Sequence, residues 1–394
     1  MTVKKESIDY FNIFIGLCLS GNPLFTSSGY FEVLLILFSI YLTAYYLKGV
    51  YFSINSFLLI SICYSCLFFI QIFSFGTLNA VTYIGFIVKL YIGYVLFTSI
   101  KQFDTKFISV VRFLVVISIP FFLLNLAAPN LKFIIPSFSS FIYDIEQASI
   151  HIGIYNFMLD SSRNAGMFWE PGAFAGYIAL ALTFLFINKK SGKSYITKNL
   201  VLFSIGIITT MSTTGYIALT ILIVFYFYLR NDIGVKRRAL YVVLLPFLIF
   251  FIYTSFNKYD FLEEKIKQQY IQALDREDNW RLNRFGTLIM DWEYIKNRPL
   301  TGWGFHQSTR YQLNPSDAEI ASGAGNGMSD FIAKTGIPSF FLFLFLVYKG
   351  ARKKFTLTKL ESITVIAIIL VLLQGEGFLN FPVFLGLFFT PFLK

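Results

Sequence analysis

The residues best suited to chemistry lie in one stretch, Arg163-Asn-Ala-Gly-Met-Phe-Trp-Glu-Pro-Gly-Ala-Phe-Ala-Gly-Tyr177, where a polar loop enters an apolar helix. Pro171 suits the first turn of that helix, while Gly166 and Gly172 permit close backbone approach. Two readings of Glu170 and Arg163 stand. In the plainer one, the carboxylate complements the helix N-terminus and pairs with the arginine. In the other, Glu170 is a general base and Arg163 an anion clamp. A partly desolvated carboxylate takes a proton from a hydroxyl more readily, and a guanidinium gives phosphate oxygens two hydrogen bonds at once.

A second constellation is Asn297-Arg-Pro-Leu-Thr-Gly-Trp-Gly-Phe-His306. Gly302 and Gly304 form either an ordinary turn or one whose amides face an anion. His306 is a further candidate base, ranked below Glu170. A third patch, Ser322-Gly-Ala-Gly-Asn-Gly-Met-Ser-Asp330, places Asn326 and Asp330 at a helix start. Upstream, Phe285, Leu288, Ile289, Trp292 and Ile295 recur at helical spacing and predict an apolar stripe resting on the rest of the protein. Arg281 projects into that stripe and Arg284 lies on its edge. Both guanidinium groups would then point inward, where charge is expensive unless paired. Snorkelling, or pairing with Glu277, Asp278 or Asp291, is the alternative to a functional role.

The elements that must position these residues are membrane helices. The chain has 394 residues, of which 56% are hydrophobic and only 14% charged, and its mean hydropathy is +0.64. Too few polar residues exist to cover a soluble surface. Hydropathy predicts an all-α, polytopic bundle of about twelve spans, near 9–25, 30–47, 51–73, 79–100, 107–127, 167–187, 197–212, 214–229, 239–256, 329–349, 361–378 and 379–393. The domain layout is spans one to nine in 1–256 with an extracytoplasmic loop at 128–166, a large, partly helical extracytoplasmic loop at 257–328, and the last three spans in 329–394. Spans 197–212 and 214–229 meet at Met211-Ser-Thr-Thr-Gly-Tyr216 without room for a loop, and irregular backbone there points to a nearby site.

The net charge of +11 comes from Lys and Arg in short loops, among them Lys189, Lys190, Arg237, Arg238, Arg352 and Lys353. That is a positive-inside pattern with both termini cytoplasmic, and it argues against a nucleic-acid partner. The N-terminus shows no signal-peptide cleavage site, so the first apolar run is expected to remain as a span. Cys18, Cys63 and Cys66 lie in apolar runs and read as small buried hydrophobes without metal spacing. No nucleotide, zinc or serine-nucleophile motif appears, and no cofactor is expected.

Taken together and in order, the three constellations resemble the O-antigen polymerase and O-antigen ligase superfamily, integral-membrane glycosyltransferases that use undecaprenyl-diphosphate-linked sugars. One family signature stands here as Arg163, Gly166, Phe168, Glu170, Pro171 and Gly172; a second as Arg284, Pro299, Gly302 and Gly304; a third as Asn326, Gly336 and Ile337. The Met211–Gly215 junction resembles the Ser/Thr-rich helix break of the same family. The resemblance covers about residues 160–340 and implies a GT-C-like fold. It implies a metal-independent polymerase at the outer face of the cytoplasmic (inner) membrane. Arg163 and Arg284, with Arg281, would hold the diphosphate leaving group and Glu170 would assist the acceptor hydroxyl; Gly302, Gly304, His306 and Asn326 would contact substrate. Lipid-linked oligosaccharides as donor and acceptor, the bilayer and a chain-length regulator protein are the partners it implies. Family ligases place a His directly before the Asn of the third motif; Gly325 stands there, which leans away from the ligase alternative. A flippase for lipid-linked oligosaccharide is the alternative from another class, and would want more ionisable residues within the spans.

Overall fold

The computed structural model describes residues 2–26, 29–47, 54–76, 79–130, 149–158, 163–188, 193–226, 284–320 and 326–393. The helices are α1 (Thr2–Cys18), α2 (Pro23–Thr26), α3 (Phe31–Leu47), α4 (Ile54–Phe75), α5 (Ala80–Ser99), α6 (Phe103–Ala127), α7 (Pro171–Ile187), α8 (Lys193–Thr210), α9 (Thr213–Val224), α10 (Arg284–Asn297), α11 (Gln307–Arg310), α12 (Asp317–Ile320), α13 (Gly327–Thr335), α14 (Ile337–Lys353), α15 (Lys359–Gly375) and α16 (Pro382–Leu385). A two-stranded antiparallel hairpin, β1 (Ser149–His151) with β2 (Asn156–Met158), is the one departure from all-α among the described residues, and pairs Ile150 with Phe157.

Among the described residues, three helices are long and apolar enough to cross a membrane, within 55–75, 80–99 and 103–127. Shorter apolar helices join them in one bundle. The chain is therefore a helical membrane protein, but the count of twelve spans does not follow from it. The span expected at 239–256 lies outside the described residues. That expected at 329–349 is cut in two by Gly336, whose φ of +83° lets the chain turn sharply between α13 and α14. A side chain there would strike the Leu300 carbonyl. The span expected at 379–393 is a succession of short turns: one helical turn that Pro382 begins, then a tighter 3-10 stretch, Gly386–Phe392, that contains Pro391. It is buried rather than lipid-facing, and crosses α5 so closely that a Cβ on Gly93 would lie 2.5 Å from the Pro382 carbonyl oxygen. α15 stops at Gly375, so Glu376 lies beyond the helix in extended backbone. Of the cysteines, Cys18 is buried, but Cys63 and Cys66 are exposed on α4, correcting the expectation for those two.

α7 is the centre of the bundle. Every residue from Pro171 to Ile187 is buried, and α6, α8, α9 and α15 pack around it. Its small residues explain the position. Between apolar helices in lipid, association relies on close packing, and Gly172, Ala173, Ala175, Gly176, Ala179 and Ala181 leave room for it. Gly176 receives the Phe378 ring and Ala175 meets Gly215 of α9.

The break expected near residue 212 is present. α8 ends at Thr210, Met211 takes a left-handed φ of +49°, and Ser212 caps α9 by accepting from the Gly215 amide at 3.2 Å.

Of the stripe expected on α10, Ile295 faces inward as expected, but three other members do not. Leu288, Ile289 and Trp292 are exposed, while Thr287, Met290, Asp291, Tyr294 and Ile295 face the interior. Polar contacts decide the orientation. Asp291, fully buried, accepts from Arg310 and from Ser329 Oγ at 2.6 Å. The buried Arg310 guanidinium is flanked by the Tyr294 and Tyr311 rings at 4.8 and 5.0 Å and lies 3.7 Å from Asp330. This network fixes α10 to α13. Removing one partner of a buried pair strands the other's charge, so Asp291→Ala should destabilise the fold by about 3–5 kcal/mol. The thermal unfolding midpoint in detergent would measure it, with Asp291→Asn, which keeps an acceptor, falling between variant and wild type.

Candidate functional site

At the end of the bundle where α7 and α9 begin and α8 and α15 end, Arg163, Glu170 and Arg284 come together with a residue the sequence reading passed over, Glu376. Arg284, in the first turn of α10, donates from Nη2 to Glu376 Oε1 at 2.8 Å and from Nη1 to Thr214 Oγ1 at 3.2 Å. Glu376 is 4% exposed, against 36% for Arg284, so the pair runs from the interior to an accessible rim. The Glu376 carboxyl also hydrogen-bonds Glu170 and Trp169. It lies against the start of α7 so closely that a Cβ on Gly172 would stand 2.3 Å from its Oε1, and a Cβ on Gly327 would stand 2.0 Å from its main-chain oxygen. Both glycines are thus needed where they are.

Arg163 does not form the expected ion pair with Glu170. Its Nε donates to the Thr210 carbonyl at 3.0 Å and its Nη2 to the Met211 carbonyl at 3.1 Å. Carbonyls at a helix end lack intrahelical donors, and here the break in α8 turns two of them toward the guanidinium. The loop carrying it is pinned by Asn164, whose Nδ2 donates to Ser118 Oγ and Thr209 Oγ1 and whose Oδ1 accepts from the Gly166 amide. Arg163 is near enough to feel Glu170, Arg284, Tyr216 and Glu376. Glu170 is the N-cap of α7 in extended backbone, half-buried beside Trp169.

The electrostatics follow from burial. Desolvation first, then the charge and hydrogen bond of Glu170, push the Glu376 carboxyl well above the usual carboxylate range, against the opposing pull of Arg284 and Trp169. The buried Glu376 carboxyl therefore keeps a proton that an exposed one would lose. Desolvation also lowers the Arg163 guanidinium, with Glu170 working the other way. With Glu376 protonated, its carboxyl does not cancel the charge of the two guanidinium groups, which suits an anion.

The remaining candidates are placed differently. The Gly302 and Gly304 amides donate to the Arg298 and Lys334 carbonyls, so they brace a turn against α13 and do not face an anion. A side chain at Gly302 would strike the Lys334 backbone, and its φ is +63°. His306 caps α11, its Nδ1 accepting from the Ser308 amide at 3.3 Å. The Asn326 side chain caps α13 through the Ser329 amide at 3.1 Å. None of the four contacts the charged cluster in the hydrogen bonds described. Arg281, Glu277, Asp278 and Gly325 lie outside the described residues. Arg284 and Asp291 do not pair; each has another partner. Glu376 left a signal that could have been read, an acidic residue between Gly375 and Gly377 after an apolar run, where a charge is costly without a role.

Residues 199–344 match the family model Wzy_C, described as O-antigen ligase. The match supports membership of the O-antigen polymerase and ligase superfamily. It takes in the break between α8 and α9, Arg284, Gly302, Gly304, His306 and Asn326, whereas Arg163, Glu170 and Glu376 lie beyond its ends. No curated protein matched the chain. The superfamily match lends nothing to the flippase alternative.

Two measurements test the cluster. As pH rises through the elevated Glu376 value, its proton leaves, the net positive charge falls and diphosphate binding by the purified protein should weaken. Glu376→Gln should lack that alkaline step. Gly172→Ala drives a methyl group into the Glu376 carboxyl, and should cost about 1–3 kcal/mol of stability, read from the unfolding midpoint.

Proposed function

We propose that this protein is a polymerase that joins lipid-diphosphate-linked oligosaccharide repeat units into a surface polysaccharide at the outer face of the cytoplasmic membrane. The observation that carries the reading is the convergence of Arg163, Glu170, Arg284 and Glu376 at one end of a membrane bundle. A lipid-borne diphosphate reaches such an end from the bilayer, and its headgroup is the anion two guanidinium groups suit.

The step is a single displacement. The oxygen of an acceptor hydroxyl, on a second lipid-linked unit, bonds to the anomeric carbon of the donor. The bond from that carbon to the diphosphate oxygen breaks, and the electron pair leaves with the lipid diphosphate. Arg163 and Arg284 stabilise the charge that develops on it. Glu170 takes the hydroxyl proton, while Glu376 holds its own proton and keeps Arg284 aimed at the site. Environments that push two neighbouring carboxyls apart assign them different roles. The donor alone supplies the driving force in this scheme, through a leaving group whose charge is compensated.

A ligase that passes a finished chain to lipid A-core breaks the same bond to the lipid diphosphate with a different acceptor, and the family description favours it. Gly325, where ligases of the superfamily place a histidine, favours the polymerase. The accumulated product separates the two. Glu170→Gln should slow transfer by about 10²–10⁴-fold while leaving diphosphate-lipid binding intact. Cells carrying it should display single repeat units instead of long chains. Arg284→Ala should weaken binding and transfer together. Normal chain length in both variants would remove this reading.

A further inference from the structure

Lys89 is the only charged residue of α5 and lies midway along a helix apolar enough to cross a membrane. An ammonium at that depth is expensive unless something answers its charge. Its Nζ lies over the Phe31 ring, 5.3 Å from the centroid. A ring face attracts a cation without neutralising it. Among the described residues, no carboxylate stands within ion-pairing distance of Lys89. Glu32, on the exposed side of α3, attracts it only from further away.

A second lysine approaches the same place from α13. The Phe305 ring packs 4.7 Å from Phe86, one turn before Lys89, and the Lys334 ammonium lies 6.0 Å from that same ring's centroid. Lys334 is paired with Asp330 at 2.5 Å, yet its charge is near enough to Lys89 to repel it. Beside them is an acceptor without a donor. Gln71 of α4 is fully buried, and its Nε2 donates to the Thr301 and Lys334 carbonyls at 2.6 and 2.9 Å. That fixes the amide's orientation and leaves Oε1 buried and unsatisfied. A point one bond above Gly304 is 3.2 Å from that oxygen and 3.5 Å from the Tyr83 hydroxyl. The two lysines thus approach the Phe86–Phe305 ring pair from different helices, and the unsatisfied Gln71 oxygen and the Tyr83 hydroxyl lie beside Gly304, the residue before Phe305.

We propose that Lys89 and Lys334 form a second anion site, for the phosphate group of a sugar-carrying lipid, with Gln71 and Tyr83 as the polar groups that meet its hydroxyls. α13 ties this site to the first. Gly327 packs on the Glu376 main chain, and Lys334 follows two turns later, about 10 Å along the helix axis. Resting on the reading that the Arg163–Arg284 cluster takes the donor's diphosphate, this second site takes the acceptor's. The acceptor's reacting hydroxyl, on a sugar distant from its own phosphate, then reaches Glu170 while its lipid end is held apart from the donor's.

The test counts lipids. The full chain in phosphatidylcholine nanodiscs is titrated with solanesyl diphosphate, a long-chain polyprenyl diphosphate, and bound copies are counted by native mass spectrometry. Wild type should bind two, and Lys89→Met and Lys334→Met should each weaken one class about tenfold and leave the other, a loss expected for one charge-assisted contact. Lys89→Arg should retain both. Arg284→Ala should weaken the other class. Wild-type binding of both classes by Lys89→Met and Lys334→Met overturns the inference, whatever Arg284→Ala does. Weakening in the lysine variants with Arg284→Ala unchanged keeps this site and removes the donor reading instead. Inorganic diphosphate that fills the lysine-dependent class as tightly as the lipid does would assign it to a free anion and overturn the lipid assignment. Should Lys89→Met fail to fold, Lys334→Met, whose Asp330 keeps Arg310 nearby, decides alone.

Discussion

Placing a carboxylate inside a membrane bundle is costly, and the contact that makes it tolerable here, Arg284 with Glu376, organises much of what surrounds it. It links the first turn of α10 to the residue that follows α15, segments 92 positions apart. Thr214 at the start of α9 shares the guanidinium. The close approach of α7 at Gly172 and of α13 at Gly327 is possible only because neither carries a side chain. Five helix ends thus meet around one charge-assisted hydrogen bond, and Glu170 is brought against it as the N-cap of α7. A larger residue at either glycine, or one at position 376 unable to accept from Arg284, would separate elements that are remote in the chain.

The rest of the bundle supports that meeting point from below. α7 is enclosed on all sides, so its first residues cannot shift without displacing α6, α8, α9 and α15. Further away, Asp291 accepts from Arg310 of α11 and Ser329 of α13 and so fixes the helix that carries Arg284. At the opposite end another buried pair, Lys106 with Asp9 at 2.6 Å, joins α1 to α6, and Tyr46 and Asn12 extend its hydrogen bonding. The bundle is clamped by charge near both ends and packed by apolar and small side chains between them.

Much of this was legible in the residues. Long apolar runs announced α4, α5 and α6, because the period of a lipid-crossing helix needs no tertiary information. The stretch from Arg163 to Tyr177 gave Arg163 and Glu170 through their charge at an apolar boundary, and the crowding at Met211 gave the break. What hydropathy could not supply was the orientation of α10. Leu288, Ile289 and Trp292 look like the inner face until Asp291 finds Arg310, a partner outside the helix that no periodicity reveals. Glu376 was hidden for a related reason: its neighbours are so apolar that a window average absorbs it. The turns at 378–392 read as a span because composition counts residues and not the prolines' missing amide hydrogens.

The two arginines of the cluster are held by different kinds of partner. Arg284 answers a carboxyl, whereas Arg163 is oriented by the two carbonyl oxygens that the left-handed Met211 presents. Dipoles align a guanidinium without cancelling its charge. Because the carboxyl facing Arg284 is held protonated, the field that extends from this end of the protein toward solution originates at both guanidinium groups. An anion drifting in would feel it over roughly a Debye length, about 8 Å at physiological ionic strength, before meeting Arg284. A single left-handed residue between two helices thus aims one of the two charges that give the site its reach.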